Sequence, residues 1–179
     1  MFTTIDYLKE GSVIQQKAYH AITSLELMND LVQYTPVLCG TIPINIHLTN
    51  SDLDIIFEVQ EDQFSTFEKS VHRLYGHYDH FKVKHMTIRH TPVFKANFHF
   101  GGFEFELFAQ PISVTKQRAY QHMVVEHALL NLFPELKERI IELKENGYKT
   151  EPAFAQALNI QGDPYDELIR IGKEKQFIE

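Results

Sequence analysis

Chemistry in this chain centres on a small set of residues. Asp52 and Asp54 flank Leu53 at the head of an apolar run, Leu53 to Val59, rich in Ile, Phe and Val, that reads as a strand. On a strand the two aspartates share one side, ~7 Å apart along it, while Leu53 and Ile55 face the core. Carboxylates at that spacing supply hard oxygen ligands for one or two cations, the usual way of holding Mg²⁺ against a nucleoside triphosphate. An Asp-x-Asp triplet taken alone also fits a loop cap followed by a solvated strand residue. Upstream, Val37-Leu38-Cys39 is a short apolar run ending at Gly40-Thr41, a strand meeting a tight turn.

Further carboxylates come from a hairpin. Gly101-Gly102 separates two strand-like runs, Val93 to Phe100 and Phe103 to Phe108, and a two-residue primed turn requires positive φ. That turn sets Phe100 opposite Phe103, His99 opposite Glu104, Phe98 opposite Phe105 and Asn97 opposite Glu106. Alternation then gives a core face of Phe94, Ala96, Phe98, Phe100, Phe103, Phe105 and Leu107. The opposite face carries Lys95, Asn97, His99, Glu104 and Glu106, which is also how the wet side of an antiparallel sheet looks.

The elements that position these residues read as follows. Ser12 and Gln15 form a capping-box pattern opening a helix to about Leu31, ended by Tyr34-Thr35-Pro36. Asp62 is expected to cap a helix from about Gln63 to Tyr75, with Gly76 as its left-handed terminator. Phe81 to His90 adds a strand. From Thr115 the pattern is helical, about four helices, with Asp163-Pro164 as N-cap and first helical residue. The division falls near Pro111 to Thr115, giving a core of residues 1–112 and a helical extension of 113–179 packed on it as one folding unit. The fold class expected is α+β, a mixed sheet of about five strands with flanking helices.

Composition narrows the function. The 179 residues are 44% hydrophobic and 23% charged, as in an ordinary globular protein. The formal charge is −7, with 17 Lys and Arg against 24 Asp and Glu, so general nucleic-acid binding is not expected. A lone cysteine, Cys39, excludes an intrachain disulfide and is read as a small buried residue. No signal peptide and no membrane span is expected, so a cytoplasmic setting is anticipated.

The order apolar strand, Gly40-Thr41, the interval 42–51, then Asp52-Leu53-Asp54 within a second strand resembles the signature of the nucleotidyltransferase superfamily. The resemblance spans Val37 to Phe108. It implies that Gly40 and Thr41 approach a triphosphate, that Asp52 and Asp54 bind metal, and that Glu106, with Glu104 in reserve, is the third carboxylate and the base toward an acceptor hydroxyl. It further implies Mg²⁺ as cofactor, a nucleoside triphosphate as substrate, an acceptor of unknown identity, and Lys95 and Arg89 as candidates to neutralise phosphate charge. Ile42-Pro43-Ile44 stands where many small members carry an arginine, which leaves open a catalytically silent nucleotide- or partner-binding member. Metal-dependent phosphohydrolysis by the same carboxylates is a further alternative. Over its full length, including Lys149 to Phe154 and Gly162 to Tyr165, the chain resembles a small bacterial family of unassigned function.

The ten histidines, among them His72, His77, His80, His85 and His90, are read as structural or surface residues. His122, Glu126 and His127 are one residue longer than an inverted zinc-protease motif, and His122 with Glu126 is read as an interhelical hydrogen-bonded or exposed pair.

Overall fold

Ser12 starts the first long helix: its side chain accepts from the Gln15 amide while the Gln15 side chain accepts from the Ser12 amide. In the computed structural model, which describes residues 2–179, that helix is α1 (Val13–Ser24). It ends short of the expected Leu31 because Glu26 adopts a left-handed conformation (φ 53°) and restarts the chain as a single-turn α2 (Leu27–Asp30). Strand β1 (Val37–Cys39) and strand β2 (Leu53–Glu58) follow, then α3 (Phe64–Tyr75).

Two details of α3 differ from the sequence reading. Asp62 lies in a preceding 3-10 turn and caps nothing; Gln63 is the N-cap, without a side-chain bond. Gly76 stays right-handed at φ −62°, and its glycine is required for another reason: a Cβ there would stand 2.4 Å from the His72 carbonyl oxygen.

Strands β3 (Lys82–Ile88), β4 (Thr91–Phe100) and β5 (Phe103–Gln110) form a meander. Gly101 and Gly102, at φ 60° and 85°, make the primed turn that fixes the β4–β5 register, with Phe100 facing Phe103 and Asn97 facing Glu106 as the alternation predicts. Four helices complete the chain: α4 (Arg118–Leu132), α5 (Leu136–Glu145), α6 (Thr150–Leu158) and α7 (Pro164–Glu174), the last capped by Asp163.

The sheet order is β1-β2-β5-β4-β3, antiparallel except where β2 runs parallel to β5. Alternation sends Leu53, Ile55, Phe57, Phe94, Ala96, Phe98, Phe105 and Leu107 into one core with α1, α2 and α3. Val37, Cys39 and Ile56, on the other face, pack with Met123, Leu129, Ile140, Phe154 and Leu168 of the last four helices. This second layer covers the β1–β2 side of its face, and Lys95, Asn97, His99, Glu104 and Glu106 are left partly or fully exposed. The architecture is α+β with a mixed five-stranded sheet, as expected. Among the described residues no helix is long and apolar enough to cross a membrane.

Candidate functional site

The parallel pairing of β2 with β5 is what assembles the carboxylates. Asp54 stands opposite Glu106 in that register, and the residue before β2, Asp52, completes a group whose ligand oxygens all lie within 4.8 Å of one another. Asp52 is exposed, whereas Asp54 and Glu106 are partly buried. Burial first, then the neighbouring charges of Asp52 and Glu106, push Asp54 up to about 7. Lys95 opposes that rise, and its ammonium donates to Glu106 Oε2 at 2.5 Å.

Gly40 closes in on Asp54 from β1. It follows Cys39, which pairs with Asp54 across the sheet, and takes φ +81°. A Cβ at Gly40 would stand 2.4 Å from Asp54 Oδ2, so any other residue here would be strained at this φ and would displace that carboxylate. The loop that follows is held from both helical layers. Gln15 Nε2 of α1 donates to the carbonyls of Ile42 (2.8 Å) and Pro43 (3.2 Å), and Lys144 Nζ of α5 donates to that of Ile46 (2.6 Å). Thr41 Oγ1 lies 3.4 Å from Ser51 Oγ, tying the loop's start to its end.

Not every candidate joins the cluster. Glu104 is exposed, accepts from Asn97 Nδ2 at 2.9 Å, and lies outside the group of three. Arg89 reaches Asp166 of α7 at 3.3 Å, beside Arg118, which holds the same carboxylate oxygen at 2.6 Å. Cys39 is buried, as expected, and burial pushes its thiol up.

Gly40, Thr41, Asp54 and Glu106 line one side of a cavity of about 300 Å³; His122, Glu126 and Glu151 line the other. This corrects the reading of His122 and Glu126. Both belong to α4, both are buried (6% and 3% exposed), and neither ring nitrogen of His122 has a hydrogen-bond partner. Burial, then the charge of Arg118, lowers His122 to about 4, and burial raises Glu126 well above the usual carboxylate range. Glu151, in the first turn of α6, brings a third donor within 4.8 Å of these two. Sequence reasoning missed Glu151 because nothing local links α6 to α4; only the packing of the helical layer does.

A family model described as "Domain of unknown function (DUF4269)" matches residues 20–171. The chain belongs to that family. A search of curated proteins finds no match in sequence. Solved structures are similar in fold. A crystal structure of the Cid1 poly(U) polymerase with MgGTP bound matches at a TM-score of 0.54 and 17% identity, covering 72% of this chain and 41% of that one. The polymerase core of TRAMP, an RNA surveillance complex, matches at 0.53 and 11% identity, covering 92% and 50%. A GLD-2/RNP-8 complex matches at 0.51 and 13%, covering 92% and 75%. The DUF4269 chain thus has a nucleotidyltransferase-like fold, and it spans 41% to 52% of the Cid1 chains it matches.

The carboxylate group fits a divalent cation. Its donors are all hard oxygens, they converge from adjacent strands, and the charges of Asp52 and Glu106, which add to burial in raising Asp54, are ones a cation would offset.

Proposed function

We propose that this protein is a Mg²⁺-dependent nucleotidyltransferase that moves a nucleoside monophosphate from a nucleoside triphosphate to a hydroxyl of a small molecule or protein. The observation that carries this reading is the convergence of Asp52, Asp54 and Glu106 beside Gly40 on a nucleotidyltransferase-like fold. Residues 1–112 constitute the transferase core in this reading, and residues 113–179 form the helical wall facing its site.

Asp52, Asp54 and Glu106 would hold the metal, which when bound supplies positive charge for the phosphate oxygens. The chain's own groups do the rest. The Gly40-Thr41 turn approaches the triphosphate with backbone amide and hydroxyl, since no side chain at Gly40 obstructs it. Lys95, paired with Glu106, contributes a cation within reach of phosphate. Glu106 accepts the acceptor's proton at a carboxylate oxygen as the acceptor oxygen bonds to the α-phosphorus. The bond from that phosphorus to the bridging oxygen breaks, and pyrophosphate leaves.

The Lys95–Glu106 ion pair also supports a second reading. A lysine already paired with the third carboxylate leaves that group less free to hold metal or take a proton, as a silent, nucleotide-binding member would have it.

Isothermal titration with ATP, GTP, CTP and UTP, with and without Mg²⁺, tests the binding step. The transferase reading expects micromolar, Mg²⁺-dependent affinity for at least one nucleotide, lost in Asp52→Ala. It also expects pyrophosphate release from that nucleotide in the presence of hydroxylic acceptors. Affinity without any release favours the silent member, and no affinity for any of the four refutes both.

A further inference from the structure

The wall facing Asp54 and Glu106 carries a donor set of different chemistry. His122 and Glu126 are one helical turn apart on α4, so their side chains share a face. Glu151 enters from α6, and one ligand atom from each of the three lies within 4.8 Å of the others. Both ring nitrogens of His122 and Oε1 of Glu126 are buried without a partner. Buried polar atoms are ordinarily paired, and each one left unpaired costs ~1–3 kcal/mol. A hydrogen bond between His122 and Glu126 would satisfy only part of this set, leaving the second imidazole nitrogen unpaired.

The donor chemistry points the same way. Two carboxyl side chains, Glu126 buried and Glu151 partly buried, present oxygen ligands to one space beside the imidazole. The ammonium of Lys144 is engaged with the Ile46 carbonyl, and among the described residues neither Glu126 nor Glu151 forms a salt bridge. A dication would neutralise both carboxylates and take one imidazole nitrogen.

We propose that His122, Glu126 and Glu151 form a binding site for a transition-metal dication, zinc or a neighbour of similar character. It is distinct from the all-oxygen group of Asp52, Asp54 and Glu106 across the cavity. The imidazole decides the class: nitrogen ligands suit zinc, nickel, iron and copper, whereas carboxylates alone suit magnesium and manganese. Ligands of a tetrahedral zinc at ~2.1 Å stand roughly 3.4 Å apart, so side-chain rotation on the order of an ångström completes the contraction. Three protein ligands leave a coordination position for a group from the cavity.

The test uses Zn²⁺ alone, added to the metal-stripped 179-residue protein carrying Asp54→Asn and Glu106→Gln, which dismantles the other group. Competition against a chromophoric chelator is expected to give one bound equivalent. His122→Ala or Glu151→Gln in that background should weaken it by at least ~100-fold, since ligand loss exceeds the 10–100-fold typical of outer-shell changes. Circular dichroism establishes that the variants are folded. X-ray absorption of the zinc complex, which needs no variant at the site, should show nitrogen and oxygen ligands. No zinc bound in the background protein overturns the proposal, as does affinity unchanged by both substitutions or a spectrum of oxygen ligands only. Because the background lacks two carboxylates of the nucleotide reading, the outcome is independent of whether nucleotide binds.

Discussion

Replacing Gly40 by alanine separates backbone strain from damage to the carboxylate group. At φ +81° an L-residue carries a left-handed penalty of ~1–2 kcal/mol. The new methyl would also meet Asp54 Oδ2 at 2.4 Å, about an ångström inside van der Waals contact, so the carboxylate must move. Gly102 provides the control: its φ is +85°, and a Cβ there meets nothing within 4 Å. Gly102→Ala should therefore show strain alone, lowering Tm by roughly 2–8 °C at 2–4 °C per kcal/mol for a chain of this size. Gly40→Ala should lower it further and, under the nucleotidyltransferase reading, weaken Mg²⁺-dependent nucleotide affinity by about 10–100-fold, as misplacement of a site group by an ångström does. Thermal melts and nucleotide titrations of the two variants measure both effects. A cycle with Asp54→Ala should be non-additive in stability by about 1 kcal/mol, since removing the carboxylate removes the clash. Equal loss of affinity in both glycine variants, or full additivity in the cycle, would refute the argument.

Other expectations follow from the same neighbourhood. The folded-state value of Asp54 is raised from 3.8 to about 7, so its contribution to stability is fully present below about 4 and is lost as pH rises toward 7. Asp54→Asn should therefore raise Tm of the metal-free protein, with an advantage that grows between pH 4 and 7 and then levels; a pH series of melts checks this. Lys95→Met frees Glu106 and should tighten Mg²⁺ alone by a few-fold, a surface-type ion pair being worth ~0–1 kcal/mol, while weakening triphosphate, as read by separate titrations. Gln117→Leu removes two 2.9 Å bonds, one to the carbonyl of Phe57 that fastens the start of α4 to β2 and one to that of Ile112 in the link after β5; denaturant melts should show a loss of ~1–3 kcal/mol.

Much of this was legible in the sequence wherever the governing physics is local. The Gly101-Gly102 turn sets the β4–β5 register by itself, and alternation along Phe94 to Leu107 then decides which side chains reach the core. Ser12 and Gln15 carry their cap within a single turn. Local rules failed where a long-range contact decides. Nothing in Leu25-Glu26-Leu27 announces a helix break, yet Glu26 turns left-handed so that Leu25 and Leu27 can both enter the core. Gly76 resembles a left-handed terminator but serves close approach. Glu151 reaches His122 only through the packing of α6 against α4's neighbours, a relation no spacing encodes.

The parallel contact between β2 and β5 also bears on when the site exists. Hairpin contacts among β3, β4 and β5 close short loops and form early in a folding chain, whereas β2 must wait for β5 across α3 and the whole meander. Asp54 and Glu106 meet only in that last pairing. A chain emerging from the ribosome therefore holds no complete carboxylate group until β5 has been made and docked.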